Sequence, residues 1–163
     1  MYDTGAERQG DKMEFPKKFP KNFLWGTAAS AYQIEGRDPH DGKGDHIWNI
    51  YEREPGHIYE NQTGDIACDH IHRFKEDVAI MKKMGLKAYR FSMDWSRLLP
   101  EGTGRVNEAG VKFYSDLIDE LLANGVEPFI TMYHWELPYE LYKKGGWLNR
   151  DIAEWFGEYA KLI

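Results

Sequence analysis

The order of strand-like and helix-like segments constrains the fold of this 163-residue chain more than any other feature. Three apolar segments have the length and composition of buried strands: residues 19–28, 86–92 and 126–133. In three other segments, apolar residues recur every three or four positions, as in amphipathic helices: residues 69–84, 107–124 and those from 149 onward. This β-α-β-α-β-α order predicts parallel strands joined by right-handed crossovers.

Local signals set the expected boundaries of these elements. Asp69 has the residue type of a helix N-cap, and Gly85 can end the same helix. The first strand is expected to bury an apolar trio, Phe23, Leu24 and Trp25. Two segments are predicted to lack regular structure, a flexible polar tail and a long loop rich in Gly and Pro: residues 1–14 and 37–64.

Two architectures have this element order, an open doubly wound sheet and a closed (β/α)8 barrel. A Gly-x-Gly-x-x-Gly motif after the first strand would favour the nucleotide-binding type of open sheet, and this sequence has none. The predicted strands begin near residues 23, 86 and 126, so eight such units would need far more than 163 residues. A whole barrel takes about 250 residues. The sequence therefore predicts an α/β fold, a partial (β/α)8 TIM barrel comprising about its first three βα units over residues 15–163.

Composition argues against several classes of partner. The net charge of −6 disfavours nucleic acid, which is bound through clustered Lys and Arg. No apolar run approaches the ~20 residues of a membrane span. The single cysteine, Cys68, excludes an internal disulfide, and residues 1–14 lack the apolar stretch of a signal peptide. We therefore expect a cytoplasmic protein that binds neither nucleic acid nor membrane.

Side chains that can bind ligands lie near or just after the carboxyl end of each predicted strand. Six residues have this placement: Gln33, Glu35, Arg90, His134, Trp135 and Glu136. In βα barrels, ligand-binding residues come from the carboxyl ends of the strands and from the loops that follow them. The sequence thus predicts a small-molecule site at this edge of the sheet.

Residues 23–36, with the sequence FLWGTAASAYQIEG, resemble the N-terminal signature of glycoside hydrolase family 1, the β-glucosidase-like retaining glycosidases. The resemblance extends from about Phe15 to Ile163, although Arg37 stands where the signature usually has a small residue. It implies retaining hydrolysis of β-D-glucosides or galactosides without a cofactor. A 6-phospho-β-glycosidase is an open alternative.

The same resemblance implies roles for four residues. Gln33, His134 and Trp135 match positions that bind the sugar beside the scissile bond. Arg90 matches the arginine that pairs with the nucleophilic carboxylate and keeps it ionised. Simpler roles remain open for each: a loop residue bonded to backbone for Gln33, core packing for His134 and Trp135, and a structural ion pair for Arg90.

Both catalytic motifs of the family, however, are missing from these 163 residues. The acid/base glutamate lies in a Thr-x-Asn-Glu-Pro motif and the nucleophile in a Thr-Glu-Asn-Gly-like motif, and neither occurs here. We expect Glu35 to bond backbone or an arginine and Glu136 to shape its loop, so neither replaces them. The chain is therefore expected to be an N-terminal fragment that is inactive alone. Its expected partner is the missing C-terminal part of the barrel. The alternative is a non-catalytic partial barrel that binds a complementary chain or carbohydrate.

The segment from Cys68 to His72 is rich in metal-binding residue types, but His70 and His72 are two positions apart and would point to different helix faces. We therefore predict no metal site. Four tryptophans are expected to pack in the interior: Trp48, Trp95, Trp147 and Trp155.

Overall fold

A computed structural model describes residues 18–163, so the predicted tail at residues 1–14 lies outside the described part. Three strands form one parallel sheet in the order β1-β2-β3: β1 (Gly26–Ala28), β2 (Ala88–Ser92) and β3 (Glu127–Thr131). The register pairs Ala28 with Arg90, and Arg90 with Phe129. The predicted parallel βα arrangement of a partial barrel is confirmed.

The described residues form seven α-helices. In chain order they are α1 (Ala31–Ile34), α2 (Ile47–Arg53), α3 (His70–Lys83), α4 (Trp95–Leu98), α5 (Glu108–Ala123), α6 (Tyr139–Lys143) and α7 (Ile152–Leu162). Short 3-10 helices occur at Tyr59–Asn61 and Gly146–Leu148. The three long helices, α3, α5 and α7, are the predicted ones. Over residues 18–163, no helix has the length and apolarity that crossing a bilayer would require.

Helix α2 lies inside the segment that was predicted to be a loop. His46 begins it with a reciprocal cap: its ring Nδ1 accepts a hydrogen bond from the Asn49 amide, and the Asn49 side chain accepts one from the His46 amide. Such a cap satisfies two backbone donors that the first turn would otherwise leave unpaired. A histidine is not among the common N-cap residues, and for this reason the sequence did not reveal the helix.

The expected burial of the apolar trio at the first strand is wrong. Strand β1 begins only at Gly26, and the side chains of Phe23, Leu24 and Trp25 are 43%, 50% and 52% exposed. The rings of Phe19, Phe23 and Trp25 instead contact one another, with centroids 4.5 to 4.8 Å apart. The physical reason is that β1 is an edge strand of the described sheet, so packing covers it on one side only.

Asp69 is the N-cap residue of α3, as expected, but it does not cap the helix through its side chain. Asp69 has a left-handed backbone conformation (φ 54°) and makes no side-chain cap; its Oδ1 lies 2.6 Å from His72 Nδ1. The other histidine of this segment, His70, has its Nδ1 2.6 Å from Asp77 Oδ2. The two rings therefore pair with different carboxylates.

The core lies between the sheet and the long helices, and Tyr159 of α7 is at its centre. Its ring stacks on Trp95 at a centroid distance of 4.9 Å. Its hydroxyl lies 2.7 Å from the Met132 carbonyl and 3.1 Å from the Met93 carbonyl, so one proton is shared between the segments that follow β3 and β2. Trp95 is fully buried as expected, and Trp155 packs against the core.

The expected burial of the other two tryptophans is wrong. Trp48 is 37% exposed and Trp147 is 52% exposed. Trp48 lies on the missed helix α2, where it contacts the rings of Tyr32 and Tyr51, and Trp147 donates a hydrogen bond to the Tyr133 hydroxyl. Both indoles are thus held by aromatic neighbours at the surface.

Candidate functional site

The carboxyl edge of the sheet is built by hydrogen bonds from the first helix to the second strand. Directly after β1, the amide of Ala29 donates to the Arg90 carbonyl over 2.9 Å. The amide of Ala31, the first residue of α1, donates to the buried Ser92 hydroxyl over 2.8 Å. Helix α1, which carries Gln33, is therefore fixed against the end of β2.

The four predicted site residues lie on the three segments that meet at this edge. Gln33 is exposed on α1, Arg90 is the central residue of β2, and His134 and Trp135 are in the loop between β3 and α6. No hydrogen bond or ion pair within residues 18–163 joins these four side chains to one another. The structure thus brings their backbone segments together at one edge without direct contacts between the side chains.

The simpler roles for these residues find little support within residues 18–163. Trp135 is 66% exposed, which does not fit core packing. In the described part of the chain, Arg90 has no carboxylate within ion-pair distance, and its Nη1 lies 3.5 Å from the Ala29 carbonyl. The Gln33 side chain likewise forms no hydrogen bond with any described residue, whereas His134 is half-buried, so core packing stays open for it.

The loop after β3 has an unusual backbone at Trp135. Its φ of +82° is in the left-handed region, which costs a bulky residue about 1–3 kcal/mol. The amide of Leu137 donates to the Trp135 carbonyl over 2.9 Å and closes a three-residue turn centred on Glu136. The turn directs the indole outward while the adjacent Glu136 side chain is buried.

Glu136 connects this loop to α1. Its Oε1 accepts a hydrogen bond of 3.2 Å from the Tyr32 amide, and its Oε2 has no hydrogen-bond partner within residues 18–163. The side chain is only 1% exposed; this burial, together with the nearby charge of Asp94, raises the pKa of Glu136 to about 8. Near pH 7 the carboxyl is mainly protonated.

Glu35 is engaged in a buried ion pair, which confirms the expectation that it bonds an arginine. Its Oε2 accepts from Arg97 Nε over 3.0 Å, and its Oε1 accepts from the Tyr114 hydroxyl over 2.7 Å. Arg97 also contacts the Asp41 carboxylate and donates to the Gly36 carbonyl. Both oxygens of Glu35 are therefore hydrogen-bonded, and the side chain is buried among the described residues.

A second buried charge cluster, centred on Asp94, lies beside this pair. Lys43 Nζ is 2.6 Å from Asp94 Oδ2, and the amide and hydroxyl of Ser96 donate to Oδ1. Burial alone would raise the pKa of Asp94, but the neighbouring basic groups, Lys43 foremost, together outweigh burial and hold the pKa well below its usual range. Burial lowers the pKa of the adjacent His46 to about 4, so that ring is neutral near pH 7.

Sequence reasoning missed Arg97, Lys43 and Asp94. Asp94 lies just beyond the end of β2, so the strand-end rule could have found it. Lys43 and Arg97 follow no strand closely, and the partner of Arg97, Glu35, is 62 positions away. The departure at Arg37 has a local explanation, because its guanidinium contacts the Asp45 carboxylate and the Lys43 carbonyl.

Comparison with known families agrees with this geometry. The sequence profile of Glycosyl hydrolase family 1 matches residues 15–163. The chain belongs to this family. Its strand-end residues can therefore be compared with those of characterised family members.

Curated relatives include Beta-glucosidase A of Thermotoga maritima, 55% identical over 147 residues that make up 90% of this chain and 33% of the relative. An aryl-phospho-β-D-glucosidase of Bacillus subtilis is 53% identical over 148 residues, 90% of this chain and 31% of the relative. The chain thus spans about a third of the length of these family 1 relatives.

Solved structures give the same result for the fold. The family 1 β-glucosidase of Thermotoga maritima superimposes with a TM-score of 0.87 at 55% identity, over 90% of this chain and 33% of that structure. A structure of the Thermotoga maritima β-glucosidase in complex with deoxynojirimycin matches equally well, with the same TM-score, identity and coverage. The described sheet and helices are therefore part of the TIM barrel of family 1.

Proposed function

We propose that this chain supplies part of the sugar-binding site of a retaining β-glucosidase-like hydrolase that acts in the cytoplasm. The observation that carries the proposal is the convergence of α1, β2 and the loop after β3 at one edge of the sheet, with Gln33, Arg90 and His134 on them. The names of the relatives support a β-glucoside as the substrate class.

Each proposed role follows from the chemistry of the side chain. The Gln33 amide offers two donors and an acceptor with two lone pairs, which suits vicinal sugar hydroxyls. His134 adds a hydrogen-bonding ring nitrogen, and the exposed indole of Trp135 offers a flat apolar face to the C–H groups of a pyranose. Arg90, which has no carboxylate partner within residues 18–163, would hold the nucleophilic carboxylate ionised.

The reaction itself needs two carboxyl groups about 5–5.5 Å apart, one as nucleophile and one as acid/base. In this chain Glu35 is held by Arg97 and Tyr114, and Glu136 is buried against α1. We infer that both catalytic carboxylates belong to polypeptide equivalent to the other two thirds of the relatives, and that this chain alone does not hydrolyse glycosides. No cofactor is needed for this chemistry.

Two alternatives are kept because specific observations favour them. The Bacillus subtilis relative supports a 6-phospho-β-glucoside as substrate. Exposed apolar side chains on β3, Phe129 at 46% and Ile130 at 39%, support a non-catalytic partial barrel that binds a complementary chain or carbohydrate. Consecutive strand residues point to opposite faces, so both faces of β3 are partly uncovered. Parallel sheets are normally covered on both faces, and this exposure therefore favours a partner.

The test combines this chain with a second chain comprising the remaining two thirds of the Thermotoga maritima β-glucosidase. Recovered hydrolysis of an aryl β-glucoside supports the proposal, and the same assay with a 6-phosphorylated substrate decides between the substrate classes. Complex formation without hydrolysis supports the non-catalytic alternative. Turnover by this chain alone contradicts the inferred inactivity.

A pair of glutamine variants tests the site in the same assay. Gln33→Ala is expected to lower the recovered kcat/KM by about tenfold or more, because hydrogen bonds to the sugar are lost. Gln62→Ala, at an exposed glutamine beyond the Tyr59–Asn61 3-10 helix, is the matched control and is expected to leave kcat/KM unchanged. Equal activity of the two variants contradicts the role of Gln33.

A further inference from the structure

We propose that Glu136 is a positioning residue that fixes the spacing between Gln33 on α1 and Trp135 in the loop after β3. The sugar-binding roles of these two residues rest on the function proposed above. The positioning itself concerns the free chain and can be measured without a sugar.

The first step is the placement of one hydrogen bond. Glu136 Oε1 accepts from the Tyr32 amide, across 104 positions of sequence. Tyr32 immediately precedes Gln33, and Trp135 immediately precedes Glu136. A single contact thus joins two segments next to the two residues that are proposed to bind the same ligand.

The second step is that the sheet cannot set this spacing by itself. The strand order is β1-β2-β3, so the backbone bonds of the sheet join β1 and β3 to β2 and not to each other. The segments that leave β1 and β3 therefore need a connection beyond the strands, and the Glu136 side chain forms one.

The third step is that both ends of the connection are held in place. On one side, the Ser92 hydroxyl accepts from the Ala31 amide and anchors α1. On the other side, the Leu137 carbonyl accepts from the Ile47 amide over 3.0 Å, directly after the tight turn. The two anchors limit how far the segments can move, and the Glu136 side chain spans the gap that remains between them.

The fourth step concerns the chemistry of the connection. The carboxyl is buried near other acidic groups, among them Asp94 and Glu35, and it serves as an acceptor through Oε1. A neutral amide of the same length can accept the same bond. The arrangement therefore requires length and an acceptor oxygen at position 136 rather than a negative charge.

The experiment uses the whole chain, with ¹⁵N-labelled backbone and indole groups observed by NMR before and during titration with cellobiose. Glu136→Leu is expected to move the signals of the Tyr32 amide and the Trp135 indole and to weaken cellobiose binding by about tenfold. Glu136→Gln is expected to retain both signals and to bind within about twofold of the wild type. Glu154→Leu, at an exposed glutamate of α7, is the control and should change neither.

Glu136→Asp keeps the test decisive if the leucine variant does not fold. The shorter side chain retains the carboxyl but withdraws the acceptor, so both signals are expected to move and binding to weaken. Wild-type signals and affinity in Glu136→Asp overturn the proposal. If the wild-type chain alone binds no cellobiose while the two signals still respond together, the positioning role stands, and the proposed sugar-binding function is decided by the assay with the second chain.

Discussion

A single buried side chain, Glu136, is expected to make the stability of the chain depend on pH. Its pKa is about 8 in the folded chain and about 4.5 in the unfolded chain. Between pH 4.5 and pH 8 the folded chain therefore retains a proton that the unfolded chain has released. The stability that protonated Glu136 contributes to the folded chain is therefore fully present below pH 4.5 and is lost as the pH rises through 8. We expect the free energy of unfolding to fall by at most about 1.4 kcal/mol per pH unit in this window, and Glu136→Gln to remove this fall.

Urea unfolding of the wild type and of Glu136→Gln across this window is the measurement. His46 acts in the opposite sense: its pKa of about 4 when folded, against 6.5 when unfolded, removes stability as the pH falls from 6.5 towards 4. Because the glutamine variant leaves His46 in place, the difference between the two proteins isolates the contribution of Glu136. Parallel curves for the two proteins would contradict the expectation.

Single residues also show how far the sequence could predict the site. The strand pattern was enough to predict that four residues lie on segments meeting at one edge, because parallel strands all end at the same edge. These residues are Gln33, Arg90, His134 and Trp135. The Arg97 contacts with Glu35 and Asp41 could not be predicted in this way, because they span 62 and 56 positions and depend on how the loop after β1 folds back. The left-handed backbone of Trp135 carries no sequence signal, since glycine is the usual residue there.

Among the elements, strands β1 and β2 approach each other closely at Gly26. A methyl group at this position would lie 2.7 Å from the Ala88 carbonyl oxygen and 2.9 Å from the Ala88 side chain. Gly26→Ala is therefore expected to push the two strands apart and to lower the free energy of unfolding by about 1–3 kcal/mol.

Gly157 is the matched control for this substitution. It lies inside α7, and an added methyl group would meet no atom within 4 Å among the described residues. Gly157→Ala is expected to raise stability by about 0.5–1 kcal/mol, because alanine favours the helix. Urea denaturation compares the two variants, and a loss of stability in both would contradict the explanation based on strand contact.

The same elements show which parts of the fold the sequence could predict. Helices α3, α5 and α7 have three or more turns, long enough for an apolar period to be recognised. Helices α1, α2, α4 and α6 have four to seven residues, too few to show a period, and all four were missed. The parallel direction of the strands was predictable because each connection is long enough to contain a crossover helix.

For the molecule as a whole, the uncovered strand β3 predicts self-association of the isolated chain. Ile130 is 39% exposed on this strand, beside the exposed Phe129, and exposed apolar edge strands favour association. Ile130→Lys is expected to reduce the associated fraction, measured by sedimentation at several concentrations. Ile66→Lys, at an isoleucine that is 74% exposed outside the sheet, is the control and should leave the fraction unchanged. A monomeric wild-type chain would contradict the prediction.

The hydroxyl of Tyr159 makes the spacing of two strand ends sensitive to a substitution in helix α7. One phenolic proton, shared between the Met93 and Met132 carbonyls, holds together the backbone that emerges from two neighbouring strands. The spacing of those two segments at the rim of the sheet thus depends in part on helix α7, which carries none of the proposed sugar-binding residues. Loss of this one oxygen, as in Tyr159→Phe, would alter the rim while every proposed ligand-binding side chain remained in the sequence.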